Sequence, residues 1–164
     1  MNPKTFRYPY ASFDIDRELF LRVFHNLLSQ HVGYGFGSKA KPLDVDSNDF
    51  HGTEGNRIDC SGATRYILNK CGLLIPDGSV NQYDWLKAKG FKPTKQFGDK
   101  DGRIRMPFLR PGDTPSGIGH VVFTYMGMTY ESHGGRGIDS RPWGSASWMK
   151  KCKGFVIDAR PLKV

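Results

Sequence analysis

The chain has 164 residues, 38% of them hydrophobic and 13% aromatic, enough for a single domain that buries roughly 70% of its unfolded surface. Its 24 Lys and Arg against 16 Asp and Glu give a formal charge of +8, which favours an anionic partner such as nucleic acid, phospholipid headgroups or a charged cell-wall polymer. No stretch approaches the ~20 apolar residues of a membrane span, and Cys60, Cys71 and Cys152 show neither Cys-x-x-Cys spacing nor a disulfide-rich pattern, which argues against a structural zinc site or a stapled scaffold.

The N-terminal run "MNPKTFRYPYASFDIDRELF" has no basic segment followed by an apolar stretch of signal-peptide length. Synthesis in the cytosol, with export by another route, is the expectation. In "DIDRELFLRVFHNLLSQ" (14–30), Leu19, Phe20, Val23, Phe24, Leu27 and Leu28 recur with helical spacing and predict an amphipathic helix; His25 falls beside its apolar face and is read as ordinary. The Gly-, Asp- and Asn-rich run 31–56 predicts a long loop. Within it "DVDSNDFHGTEG" fails as a calcium loop, since Asp49 and Gly55 stand where the sixth-position Gly and twelfth-position Glu are needed; its carboxylates are read as solvated turn residues.

From Asp59 the pattern turns helical: Cys60, Ala63, Ile67 and Leu68 share a face, and Cys71-Gly72 ends it. Asp59 suits the N-cap, where its carboxylate accepts first-turn amides. Cys60 thereby sits where the helix dipole favours thiolate over thiol, although the same position on the inward face would suit a structural cysteine. "SVNQYDWLKAKG" (79–90) predicts a short helix begun by Ser79 or Asn81. From 87 to 110 come Lys87, Lys89, Lys92, Lys95, Lys100, Arg103, Arg105 and Arg110 against Asp99 and Asp101 alone: either a polyanion-binding patch or a solvated face. Aromatic residues are not interleaved there as a stacking platform for single-stranded nucleic acid requires, and no nucleic-acid partner is expected.

The last third is β-like. "HVVFTYMGMTYESHGG" predicts a hairpin turning at Gly127, with paired residue numbers summing to 253 or 255, and "GFVIDARPL" predicts a final strand. In either register His120 and His133 share one face of the sheet, opposed or diagonal, with Glu131 on that face further along. A zinc site would need third and fourth ligands that no His-Glu-x-x-His or Cys-x-x-Cys supplies, so neither metal nor cofactor is expected. A thiol at a helix start, a histidine to take its proton and a third group to fix the imidazole are instead the parts of a cysteine hydrolase.

"YGFGSKA…IDCSGATRYILNKCGLLIP…LRPGDTPSGIGHVVFTYMGMTYESHGG" resembles the NlpC-type cysteine peptidases, papain-like peptidoglycan hydrolases with a Cys-His-His site, over about 32 to 160. The resemblance implies an α+β fold: a central antiparallel sheet holding both histidines, packed on the helix that carries Cys60, with residues 1–31 as a helical extension of one catalytic domain spanning 1–164. It implies Cys60 as nucleophile, His120 as base and His133 as orienter, with Tyr34, Asp59 and Ser61 on the substrate side. The implied reaction is hydrolysis of a stem-peptide amide, commonly D-glutamyl–diaminopimelate; the missing export signal fits a phage lysin released by a holin, a virion-associated hydrolase or an injected amidase toxin. Peptidoglycan would be the substrate, the basic patch would hold an anionic wall polymer, and a phage-tail or secretion-machine partner would follow from the delivery route. A thioester-forming transferase or deamidase and a non-enzymatic wall-binding domain are the alternatives. The chain departs from the family in the short polar "PGDTPSGIGH" ahead of His120 and in the long loop 38–58.

Overall fold

The computed structural model describes residues 15–41 and 48–158; the start of the rejected calcium loop and the end of the expected last strand lie outside them. Among the described residues, three α-helices and seven strands form an α+β fold. The helices are α1 (Arg17–Ser29), α2 (Cys60–Lys70) and α3 (Ser79–Ala88). The strands are β1 (Lys92–Thr94), β2 (Arg105–Leu109), β3 (His120–Val121), β4 (Phe123–Tyr125), β5 (Met128–His133), β6 (Gly137–Asp139) and β7 (Lys153–Val156). All pairings between these strands are antiparallel, in the order β1-β7-β2-β4-β5-β6, with β3 pairing β2.

The helix at the start of the described chain is part of the main core. Asp16 caps α1 by accepting from the Glu18 and Leu19 amides at 3.0 and 3.2 Å, and Phe20, Val23, Phe24 and Leu27 are buried beneath it. Phe20 meets Phe123 edge to face at 5.0 Å and Phe24 meets Tyr130 at 4.8 Å, so the predicted apolar stripe lands on the β4–β5 hairpin. Burying side chains of this size contributes about 1.5–3 kcal/mol each. The sheet's centre is β2, "RMPFL", buried at every position, as expected of a strand covered on both faces. Among the described residues no helix is long and apolar enough to cross a membrane.

The hairpin register follows the sum of 253, with Tyr125 opposite Met128 and Phe123 opposite Tyr130. The turn is therefore Met126-Gly127, at φ 51° and 79°, the two positive values that the twist of a two-residue hairpin demands. The ladder breaks at Val122: β3 pairs on with β2, Leu109 opposite His120, while β5 leaves β4 after Tyr130 and takes β6 as neighbour, Glu131 opposite Asp139. That double change of partner sets the geometry of the site.

Candidate active site

The site begins at the first turn of α2. Asp59 adopts an extended conformation and its Oδ1 accepts the Gly62 amide at 2.7 Å, so the helix starts at Cys60 as the capping pattern requires. The cap is itself held: Lys39 donates to both Asp59 oxygens at 2.8 and 2.6 Å and to Ser61 Oγ at 3.0 Å, and pairs with Asp77 at 3.1 Å. A Cβ at position 62 would lie 2.7 Å from Asp59 Oδ1 and 2.9 Å from Ile58 Cγ1, which explains the glycine of Asp-Cys-Ser-Gly. The Cys60 and Ser61 amides have no acceptor among the described residues and lie at the positive end of the helix dipole.

The Cys60 thiol, 9% exposed, neighbours His120 and favours the charged form of its imidazole. His120 Nε2 lies 3.1 Å from Glu131 Oε1, which leaves Nδ1 as the ring nitrogen not used by the carboxylate. Burial works to lower the His120 pKa, but the bonds to Cys60 and Glu131 outweigh it and hold the imidazole at about 9. Burial likewise works to raise Glu131, yet His120, Arg141 and Thr129 together bring its carboxyl down to about 2. Arg141 grips that carboxylate with both arms, Nε on Oε2 at 2.8 Å and Nη2 on Oε1 at 3.0 Å, while the Thr129 hydroxyl donates to Oε2. Trp148 stands edge-on to the His120 ring at 5.0 Å and lies under the Arg141 guanidinium at 5.4 Å.

Four expected site residues sit differently from one another. Tyr34 is half-buried and lines the same groove as His120; its hydroxyl pKa is raised by burial and by the negative charge of Cys60 and Asp59. Asp59 and Ser61, expected on the substrate side, are buried and turned to Lys39, where they pin the helix start. His133, expected to orient His120, places Nε2 2.8 Å from Asp139 Oδ2 and Nδ1 3.1 Å from the Gly134 carbonyl, and the place beside His120 is taken by Glu131. The physical reason is the broken ladder: an unbroken strand would set position 120 opposite 133, but the bend at Val122 and the shift of β5 onto β6 leave the Glu131 carboxylate in reach of the imidazole instead.

The groove above this pair has a volume of 620 Å³ and is lined by Tyr34, Ile118, His120, His133, Arg141, Trp148 and Lys151 among others. Arg141 and Trp148 carried no signal in the sequence, because their relation to His120 depends on where the segment after β6 returns. In the basic run, Arg103 donates to the Asp158 carbonyl, Arg105 is buried against Asp101, and Arg110 stacks over Tyr83, whereas Lys87, Lys89, Lys92, Lys95 and Lys100 are exposed. The arginines hold the fold; the lysines supply the surface charge.

This architecture recurs in solved structures. A Staphylococcus aureus protein described as similar to lipoprotein, of the NLP/P60 family, superposes with a TM-score of 0.57 at 20% identity, over 89% of this chain and 44% of that one. The P60 domain of an antigen from Mycobacterium avium subspecies paratuberculosis gives 0.54 at 24% identity, over 87% of this chain and 98% of that domain. The chain has the NlpC/P60 fold. The peptidoglycan hydrolase RipB of Mycobacterium tuberculosis shares that fold, with a TM-score of 0.55 at 24% identity over 87% of this chain and 67% of RipB. This chain spans less than half the length of the staphylococcal protein and nearly all of the isolated P60 domain, so the NlpC/P60 fold accounts for most of what is described here. No family model matches the sequence, and no curated protein does.

Proposed function

We propose that this protein is a cysteine amidase of the bacterial cell wall, hydrolysing an amide bond in the stem peptide of peptidoglycan. The observation that carries the reading is the Cys60 thiol at a helix N-terminus, next to a histidine whose Nε2 is held by a buried carboxylate. The NlpC/P60 fold, shared with a peptidoglycan hydrolase, supports the substrate class, and a net charge of +8 suits an anionic wall.

In this mechanism the Cys60 proton passes to His120 Nδ1 and the thiolate attacks the amide carbon. The Cys60 and Ser61 amides, free of other acceptors, receive the developing oxyanion; one such donor is worth about 10²–10³ in rate. His120 then gives its proton to the leaving amine, and water, deprotonated by the same imidazole, clears the thioester. Glu131 keeps Nε2 protonated and the ring turned to the thiol throughout.

The finer reading is cleavage of the D-glutamyl–diaminopimelate bond by a phage lysin or virion-associated hydrolase, with wall polymer held by the exposed lysines. Mass spectrometry of soluble fragments from purified sacculi tests both levels. New stem-peptide termini produced by the wild type and absent with Cys60→Ala establish the amidase and name the bond. Intact sacculi across several wall chemotypes, with folded protein, would refute it in favour of a thioester-forming transferase or a binding domain.

A further inference from the structure

A carboxylate is a demanding partner for a catalytic imidazole. The Glu131 side chain has no exposure to solvent, and an unbalanced buried carboxylate takes up a proton or repels a nearby thiolate. Each group facing it can be named: His120 from β3, Thr129 from its own strand and Arg141 from the segment after β6. The next charges, His133 on β5, Asp139 on β6 and Arg136 in the turn between them, pair among themselves, and Lys39 is committed to Asp59 and Asp77. Arg141 is therefore the cation available to balance Glu131 once the imidazolium has spent its charge on Cys60.

We propose that Arg141 is the positioning residue that makes a glutamate usable as the orienter, its bidentate grip fixing both Glu131 oxygens and closing a Cys60–His120–Glu131–Arg141 quartet with no net charge in the thiolate–imidazolium state. Trp148 completes the device. It backs the Arg141 guanidinium and the His120 ring at once, and it is anchored in a second apolar cluster through Trp143 and Phe97, at centroid distances of 6.0 and 5.4 Å along the stack. The inference rests on the reading of Cys60 and His120 as nucleophile and base, but it can be tested without any substrate.

The experiment is the rate of Cys60 alkylation by iodoacetamide as a function of pH, by peptide mass spectrometry, in the full chain. With Arg141 gone, the negative charge of Glu131 is left unbalanced and the nearby positive charge that favours thiolate is lost, so the acid midpoint moves upward. Arg141→Met should raise it by about one pH unit, a roughly tenfold loss of rate on the acid limb. Arg141→Lys should restore part of the shift. In a Glu131→Gln background the same Arg141→Met change should produce a smaller shift, and this pair remains informative if the single variant does not fold, because removing both buried charges together is tolerated better than removing one. For stem-peptide hydrolysis, kcat should fall with KM unchanged. An unmoved midpoint in folded Arg141→Met, an equal shift with and without Glu131, or a rise in KM at constant kcat would overturn the proposal, the last by making Arg141 a substrate ligand. Sacculi left intact by the wild type would defeat the functional reading separately, leaving the alkylation profile to decide the role of Arg141.

Discussion

The hairpin from His120 to Asp139 carries two histidine–carboxylate pairs that share a groove. His120 with Glu131 and His133 with Asp139 have similar contact distances, 3.1 and 2.8 Å, and similarly covered imidazoles, 17% and 19% exposed. They part company at the carboxylate: Glu131 is fully buried and gripped by Arg141, whereas Asp139 is 20% exposed and its nearest arginine, Arg136, is largely in solvent at 3.9 Å. They part again in their surroundings: His120 neighbours the Cys60 thiol, whereas the far nitrogen of His133 meets the Gly134 carbonyl. On the proposed mechanism a histidine–carboxylate contact is thus only half of a catalytic unit; desolvation of the acid and what neighbours the ring set the two pairs apart.

The comparison is broken most sharply by removing the two rings. His120→Ala should lower stem-peptide hydrolysis by about 10²–10⁴-fold, the range of a lost general base, while His133→Ala should cost far less. Equal losses, measured as fragment release per time, would erase the distinction. Next come the carboxylates. Glu131→Gln removes the orienting charge and should cost up to about 10⁴-fold, with Asp139→Asn remaining near wild-type activity. The Glu131 change should also lower the stability of the fold by about 3–5 kcal/mol by stranding the Arg141 guanidinium, read from urea denaturation.

The pH dependence of stability follows from the same pair. Glu131, lowered to about 2 from an ordinary 4.5, contributes stability that is present above pH 4.5 and is lost as pH falls through 2. His120, raised to about 9 from 6.5, contributes stability that is complete below pH 6.5 and is lost as pH rises through 9. Melting temperature against pH should show both losses in the wild type and weaker ones in Glu131→Gln. The smallest expected effect is at the cap: Asp59→Ala should cost about 0.5–2 kcal/mol by freeing the Gly62 amide and Lys39, with a modest fall in activity as the Cys60 turn loosens.

The helix at Cys60 and the hairpin at Gly127 could be read from the sequence because their causes are local: a capping aspartate, an apolar period, and a glycine in a two-residue turn. The helix from Ser79 was equally legible, although Gly78 rather than Ser79 or Asn81 precedes it as the cap. Choosing Glu131 over His133 was beyond the sequence, because both lie on one face of β5 and the choice rests on where β3 bends and where β5 changes neighbour. Arg141 and Trp148 were invisible for the same reason, being brought to His120 by the chain that continues past β6, with Arg141 hydrogen-bonded to Thr129 of β5. The basic run misled in part, since side-chain type alone does not tell an arginine committed to the fold, such as Arg105 on Asp101, from a free lysine such as Lys95.

The central proposal, that Cys60 is the reactive nucleophile, is tested most directly by comparing the three cysteines of one molecule. Burial pushes the thiols of Cys71 and Cys152 up to about 12, so neither should react at neutral pH. Iodoacetamide at pH 6 should alkylate Cys60 well ahead of both, and His120→Ala should abolish that lead. Alkylation of Cys60 no faster than of Cys71, or a lead that survives loss of His120, would contradict the account.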